Sequence, residues 1–162
     1  MSVRLTIDVA DMARVAAVVD RVAAADTEPL MTDIGAVLES STRERIEETK
    51  TSPDGAAWPP NRAGTSTLLA TGRHLRDSVA FIASADHVEV GAAWEFAHVH
   101  QFGATISAKN ARLLSFMAGG QRVFAKQVTI PARPFVGLSD QDGRKVERLA
   151  TDWLGRLLGG AP

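Results

Sequence analysis

Four histidines are the side chains of this sequence best suited to metal binding or proton transfer: His74, His87, His98 and His100. His98 and His100 stand two residues apart, so they share one face of a strand but point about 200° apart on a helix. A metal site would therefore need a strand here, together with a third ligand such as Glu95 or His87. The simpler interpretation is one histidine buried with a partner and one exposed to solvent. A small metal-dependent hydrolase built on His98 and His100 is the less favoured alternative.

The sequence lacks the signatures of the common catalytic and cofactor sites. It contains no cysteine, which excludes thiol nucleophiles, disulfides and cysteine-ligated metal clusters. Neither glycine-rich phosphate-binding pattern is present, and H-E-x-x-H and G-x-S-x-G are also missing. Asp77 and Ser78 lie too near His74 in sequence to indicate a catalytic triad, which is a spatial arrangement. We therefore predict a protein without catalytic activity, cofactor or bound metal.

The length and composition are those of one globular domain: 162 residues, 45% of them hydrophobic and 23% charged. A chain of this size buries roughly 70% of the surface that its unfolded form exposes, which is enough for one core. No stretch approaches the roughly 20 apolar residues that a membrane-spanning helix needs, so we expect no membrane partner. The formal net charge of −1 does not indicate a general nucleic-acid-binding protein.

The small net charge hides an uneven distribution along the chain. Residues 1–55 carry eleven acids and six bases, whereas residues 104–136 carry no acid and five bases. These bases are Lys109, Arg112, Arg122, Lys126 and Arg133. A segment without carboxylates can contact phosphate groups or an acidic protein surface. A DNA-binding module that uses residues 104–136 is therefore a second functional hypothesis, with the first four bases as candidate contacts to DNA or to a partner.

Two helices and an ordered loop are predicted for the first 66 residues. Residues 1–10 alternate apolar and polar side chains, which is typical of a strand or an extended arm. From Asp11 the apolar spacing becomes helical, and a second helix begins near Pro29 and runs through residues 43–50. We expect Trp58 to hold the Pro- and Gly-rich loop at 51–66 against the core. The apolar faces of the two helices are Met12, Val15, Val18, Val19 and Val22, then Leu30, Ile34, Val37, Leu38 and Ser41.

The middle of the chain is predicted to be rich in β-structure. Residues 78–83 and 88–91 form a hairpin whose turn contains Asp86 and His87. Residues 94–102 form a short helix that Gly103 ends. Residues 104–130 are a variable basic segment, either irregular chain or a long hairpin that turns at the Gly-Gly pair 119–120.

The C-terminal helix has the clearest pattern in the sequence. Ser139 and Asp142 match a capping box with Asp in place of Glu, and a Gly-Gly pair at 159–160 ends the helix. Trp153 is assigned to the core because it lies in the apolar stripe. The sequence predicts one α+β domain over residues 1–162, with two N-terminal helices, a β-rich middle with hairpins, and a C-terminal amphipathic helix packed on the sheet. The stripe consists of Val146, Leu149, Ala150, Trp153, Leu154, Leu157 and Leu158.

Four further segments have distinctive residue patterns that do not match a catalytic site. They are PDGAAWPP (53–60), TGRHLRDSV (71–79), VEVGAAWEFAHVHQFG (88–103) and IPARPFVGLSDQD (130–142). In this order and spacing they resemble the phage virion morphogenesis family, the tail completion or tail-to-head joining proteins of Mu-like tailed phages. The resemblance covers roughly residues 30–155.

The family pattern can be followed residue by residue, with small departures. His74 adds one residue between Gly72 and Leu75, and Phe96 stands where the family usually has tyrosine. The candidates for assembly roles among the motif residues are Pro53, Asp54, Gly55, Trp58, Thr71, Gly72, His100, Gln101, Phe102, Gly103, Pro131, Arg133, Pro134 and Phe135. The pattern also falls on Leu75, Ser78, Ala97, Ile130 and Ala132.

The resemblance implies a structural protein of the virion neck, made in the host cytoplasm and active in tail completion or head–tail joining. It also implies a homo-oligomeric ring, expected to be a hexamer, around the channel through which DNA passes. The implied partners are head-completion, tail terminator or tail tube proteins, with non-specific contact to DNA in the channel. No cofactor is implied.

Two motif segments leave their local role open. The rigid IPARPF segment either presents Arg133 to a neighbouring molecule or packs the chain into the last helix with Phe135 in the core. The HQFG segment is expected to be a helix end, with Phe102 buried and Gly103 as the C-cap.

Overall fold

The computed structural model describes residues 9–61, 64–69, 74–118 and 120–159. Within these residues helices lie towards both ends of the chain and small antiparallel sheets lie in the middle, so the predicted α+β class is confirmed. In chain order the elements are α1 (Val9–Ala23), α2 (Glu28–Glu44), a π-helical turn (Arg45–Thr49), α3 (His74–Asp77), β1 (Val79–Ala83), β2 (Val88–Ala92), α4 (Ala97–Phe102), β3 (Ala104–Ser107), β4 (Leu114–Ala118), β5 (Gln121–Ala125), β6 (Gln127–Ile130) and α5 (Asp140–Leu157).

The N-terminal helix α1 forms as predicted but lies on the surface of the chain. Most of the strand or arm expected at residues 1–10 lies outside the described residues; Val9 and Ala10 already belong to α1. The apolar face of α1 is 39–67% exposed, so the periodicity identified a helix but not a core helix. That face consists of Met12, Val15, Val18, Val19 and Val22.

Helix α2 covers the hairpin β1–β2, and both elements match the prediction. Pro29 lies in the first turn of α2, while Leu30 and Ile34 are buried. Gly35 allows the hairpin to approach, because a Cβ built on this residue would lie 2.2 Å from Cδ2 of Phe81. The strands pair from Val79↔Ala92 to Ala83↔Val88, with the turn between them.

The C-terminal helix α5 packs mainly on α2, which corrects the expectation that it packs on the sheet. The reason is that α2 already covers the hairpin β1–β2, so α5 forms a further layer. The capping box is confirmed: Ser139 Oγ accepts from the Asp142 N–H, and Asp142 accepts from the Ser139 N–H. Trp153 is half-buried rather than central to the core. The buried cluster instead consists of Ile46, Trp58, Leu75, Val79, Ala97 and Phe135.

The segment 104–130 is a long hairpin in two parts. Its outer pair, β3–β6, aligns Ala104 with Ile130, and its inner pair, β4–β5, aligns Leu114 with Ala125. Between the two strand pairs, residues 108–113 of the first arm lie opposite a single residue of the second arm, Lys126. The turn between β4 and β5 includes Gly120, which has φ +77°. Of the two alternatives, the long hairpin is therefore correct.

An ion pair between Arg45 and Asp142 is buried where α2 meets α5. Arg45 Nη2 lies 3.0 Å from Asp142 Oδ2, and the two residues are 5% and 1% exposed. Asp142 also accepts hydrogen bonds from the hydroxyls of Ser41 and Ser139. Arg45 is the first residue of the π-helical turn, whose i→i+5 bond runs from the Lys50 N–H to the Arg45 carbonyl. The sequence pattern did not identify this pair, because a charged helix end is usually solvated.

The surroundings of Asp142 favour its charged form. Burial by itself raises the pKa of this carboxyl, but hydrogen bonds from Ser139 and Ser41 and the charge of Arg45 outweigh that effect. The pKa of Asp142 is therefore below its ordinary value of 3.8. Such a lowered pKa stabilises the fold above the unfolded-state pKa, and the stabilisation is lost as the pH falls through the folded-state pKa.

The variant Asp142→Asn tests this pair. It leaves Arg45 buried without its counter-charge, so we expect the free energy of unfolding at pH 7 to fall by about 3–5 kcal/mol. The difference from wild type should shrink below about pH 4, as the wild-type carboxylate is protonated. Urea titrations across pH measure both effects. The control Asp140→Asn, at an exposed carboxylate in the same helical turn, should cost about 1 kcal/mol or less; equal losses for the two variants would contradict the assignment.

Candidate functional site

The segment at residues 131–137, here called the proline segment, connects the long hairpin to α5. Pro131 and Pro134 remove two backbone donors and fix φ, so this stretch cannot pair fully in a sheet. Phe135 is buried among the core residues, which confirms the alternative in which IPARPF packs the chain into the last helix.

Gln101 supplies the proline segment with the hydrogen bonds that a neighbouring strand would otherwise provide. Its Oε1 accepts from the N–H groups of Phe135 and Val136 at 3.0 and 3.1 Å. Its Nε2 donates to the Val136 carbonyl at 3.0 Å. One amide side chain on α4 therefore satisfies three backbone groups.

Other parts of the chain complete this hydrogen bonding. Trp58 Nε1 donates to the Pro134 carbonyl at 3.0 Å, and Arg45 Nη1 donates to the Phe135 carbonyl at 2.7 Å. The N–H of Arg133 donates to the His100 carbonyl at 2.7 Å. Hydrogen bonds from three places therefore hold the proline segment: the loop after the π-helical turn, that turn itself and α4.

Arg133 points into the chain, so the alternative in which it is presented to a neighbouring molecule is wrong. Its side chain donates to the carbonyls of Pro59 and Pro60 from Nε and Nη2, at 2.8 and 3.2 Å. Both carbonyls lie in the PDGAAWPP loop, and the residue is 5% exposed. Burial lowers the pKa of Arg133, but a guanidinium stays charged at neutral pH. Arg133 therefore joins two motif segments.

The HQFG segment ends α4 against the proline segment. Gly103 has φ +73° and ψ +162°, a conformation that is essentially restricted to glycine. A Cβ at this position would lie 2.8 Å from the backbone nitrogen of Ala132. The prediction of Gly103 as C-cap is confirmed, but the burial of Phe102 is wrong: it is 78% exposed. Phe102 follows His98 by one helical turn and shares its exposed face, because Ala97 and Val99 occupy the core side.

His100 is a packing residue rather than a metal ligand. Its ring stacks on Trp94, with centroids 5.6 Å apart and planes 11° apart. Burial, and then the charge of Arg133, lower the pKa of His100, so the ring is neutral at pH 7. The helix separates it from the exposed His98, so the strand that a metal site would need does not form. Among the described residues no three His, Asp or Glu side chains are grouped for a metal ion.

The PDGAAWPP loop is ordered, as predicted for this part of the loop at 51–66. Asp54 Oδ1 accepts from the Ala56 N–H at 3.0 Å, and Gly55 takes φ +87° in the turn. Pro53 packs against Gly137 of the proline segment. Trp58 is buried and anchors the loop.

The motif segment TGRHLRDSV (71–79) is described only from residue 74 onward. Thr71 and Gly72 lie outside the described residues. Leu75 belongs to the core, and the Ser78 hydroxyl donates to its carbonyl at 2.8 Å. The motif residues that the structure describes therefore act mainly as an internal scaffold. Sequence reasoning identified Asp142 as a helix cap but missed Arg45 and the ion pair that joins the two residues.

The four remaining candidate contacts, Lys109, Arg112, Arg122 and Lys126, are exposed on the long hairpin. We call residues 108–126 the basic hairpin. None of the four makes an ion pair with another described residue. Beneath the hairpin lies an open, mainly apolar cavity of about 850 Å³, whose lining includes Trp94, His100, Phe116 and Val128.

Comparison with protein-family models gives a match to the phage virion morphogenesis family over residues 8–155, which is most of the chain. The chain belongs to this family. It is therefore a phage protein of virion structure and assembly. The comparisons with curated proteins and with solved structures give no match for this virion morphogenesis protein. Among the helices of its described residues, none has the length and apolar character to cross a membrane.

The variant Gln101→Leu tests how the proline segment is held. It removes three hydrogen bonds at similar volume, so we expect a loss of roughly 2–4 kcal/mol in unfolding free energy. Hydrogen exchange at the Phe135 and Val136 amides should become faster in the same variant. Gln121→Leu, at an exposed glutamine of β5, should stay within about 0.5 kcal/mol of wild type. Unchanged exchange at residues 135 and 136 would refute the role of Gln101.

A second pair of variants tests the contact at Gly103. Gly120 has a similar positive φ, but a Cβ there meets open space, so Gly120→Ala measures the backbone cost alone, about 1–2 kcal/mol. Gly103→Ala adds a ψ of +162° that is essentially restricted to glycine, together with the clash with Ala132, and should cost about 1–3 kcal/mol more. Thermal or urea unfolding of both variants gives the comparison. Equal costs would show that the close approach has no energetic importance.

Proposed function

We propose that this virion morphogenesis protein is a structural, non-catalytic protein of the phage neck that completes the tail or joins it to the head. It acts as a homo-oligomeric ring, proposed to be a hexamer, around the DNA channel. The observation that carries the proposal is the family match over residues 8–155. The neighbouring neck and tail proteins, namely head-completion, tail terminator or tube proteins, are its proposed partners.

The use of the motif residues supports a structural role. The described members of the motifs hold the proline segment and the core together, and their polar groups are largely occupied by backbone partners. A catalytic site would instead direct polar groups with shifted pKa values into an accessible cleft. His100, which borders the cavity, has a lowered pKa but is stacked on Trp94.

The exposed apolar surface supports assembly with partners. The face of α1 and the side chain of Phe102 expose large apolar groups to solvent in the single chain. A 15-residue helix is marginal in water unless its apolar face packs against something. Surfaces of this kind on a soluble chain mark interaction sites.

Contact between the basic hairpin and DNA is the second candidate function, favoured by its four exposed cations. Binding that rests on phosphate contacts weakens steeply as salt rises. Affinity for duplex DNA that does not change with salt would exclude this candidate.

Deletion of the gene from the phage or prophage that carries it tests the neck assignment. We expect filled heads and tails that stay separate, or tails with an unfinished end, in electron micrographs of lysates. Expression of the wild-type chain from a plasmid should restore joined particles, and tagged protein should lie at the head–tail junction. Normal joined virions without the gene would overturn the proposal.

A further inference from the structure

The basic hairpin has an outer face that the described part of the chain leaves uncovered. Met117 and Phe124 are 63% and 60% exposed on this face, and Arg122 lies directly opposite Met117. Because alternate residues of a strand point to opposite sides, Phe116 and Val123 face the cavity, whereas Met117 only borders it and stays largely exposed. A two-stranded hairpin is at best marginally stable alone in water. Its apolar and cationic outer face therefore has the character of a contact surface.

The same molecule carries a surface of opposite charge. A depression of about 440 Å³ on α2 and the π-helical turn is lined by Ala36, Glu39, Ser40, Arg43, Glu44, Glu47 and Glu48. Four carboxylates against one guanidinium give a formal charge of −3 there. Glu39 pairs with Arg43 and Glu47 with Arg76, but Glu44 and Glu48 have no ion pair with another described residue. We call this surface the acidic depression.

We infer that the basic hairpin of one copy docks in the acidic depression of the next copy. The inference deepens the proposed function and rests on its homo-oligomeric ring. Complementary charge on two separate surfaces of one chain fixes which surfaces meet and in which orientation. Arg122 beside two large apolar side chains matches the composition of interface centres, where arginine and large apolar groups are enriched.

A second copy fits this hairpin better than DNA does. Phosphate backbones attract the four cations but offer nothing to cover Met117 and Phe124. DNA held at the hairpin would also leave the unpaired carboxylates of the acidic depression without a role. The acidic depression offers carboxylates to the cations, and Ala36 with the methylene groups of the glutamates offers apolar contact to Met117 and Phe124.

The contact joins two different surfaces, so it is heterologous. Heterologous contacts repeat from copy to copy and close into a ring when the rotation per subunit allows it. An isologous dimer, in contrast, would use one surface twice and stop at two copies. This difference makes the inference testable by mixing variants.

The test uses two charge-reversal variants of the full chain and one control. The hairpin variant carries Arg112→Glu and Arg122→Glu, and the depression variant carries Glu44→Arg and Glu48→Arg. The control carries Arg144→Glu and Arg148→Glu, at exposed positions of α5 outside both surfaces. Sedimentation velocity at low salt follows self-association, and urea titration checks that each variant is folded.

Each reversal on its own should weaken self-association by roughly tenfold to a hundredfold, while the control associates like wild type. An equimolar mixture should regain assembly, because the two introduced glutamates of the hairpin variant then meet the two introduced arginines of the depression variant. In such mixed assemblies the two variants alternate. Self-association of either reversed variant at wild-type strength, or a mixture that stays dissociated, overturns the inference.

Cross-linking gives an independent readout on the wild-type chain. A carbodiimide joins a lysine amine to a carboxylate only when the two are in contact. In a mixture of ¹⁴N and ¹⁵N chains we expect cross-links between Lys109 or Lys126 of one copy and Glu44 or Glu48 of another. Lys145 on α5 serves as the control lysine and should give none to these carboxylates. Absence of the expected cross-links in the associated protein counts against the contact.

The remaining outcomes separate this contact from the neck role. A wild-type chain that is monomeric at its highest soluble concentration overturns the contact, as do hairpin reversals that abolish binding of a duplex DNA probe but leave self-association unchanged. In both cases the deletion experiment still decides the neck assignment. Conversely, normal virions without the gene remove the neck assignment even if mixing restores assembly.

Discussion

The proline segment imposes the constraint on which the rest of the fold depends. Prolines cannot donate to a sheet, so the remaining polar groups of residues 131–137 need partners from elsewhere. Gln101, Trp58 and Arg45 supply them from three separate parts of the chain. The segment leads from β6 directly to α5, so these bonds also fix where the long hairpin and the C-terminal helix lie.

The buried pair of Arg45 and Asp142 extends the same network into the helices. A buried ion pair contributes little net stability compared with apolar packing, but removal of one member is costly. Here Arg45 also binds the Phe135 carbonyl, and Asp142 also caps α5. One pair thus sets the position of α5 on α2 and of the proline segment beside both. The pair therefore specifies a single arrangement of three elements.

Periodicity predicted most elements correctly, because the spacing of apolar residues follows directly from helix and strand geometry. It could not say what covers each apolar face, which is why α1 and Trp153 are more exposed than their patterns indicated. The motifs located Gln101, Trp58 and Gly103 but not their partners. The predicted burial of Phe102 was wrong, and the role of Arg133 was left open, for a similar reason: the fold, and not the residue type, decides which of two adjacent side chains points inward. The sequence around Arg45 did not indicate a buried ion pair, since its partner lies 97 positions away.

The sequence separation of Arg45 and Asp142 affects how the protein folds during its synthesis. At a synthesis rate of roughly 5–20 residues per second, Arg45 exists for about 5–20 s before Asp142 is made. The partners of Trp58 and Gln101 are also synthesised later, 76 and 35 positions further along. The core around Ile46 and Trp58 therefore cannot form until Phe135 has been synthesised. On a polysome, neighbouring nascent chains share this partly folded state. The synthesis of the proline segment therefore determines when each copy can no longer aggregate with its neighbour.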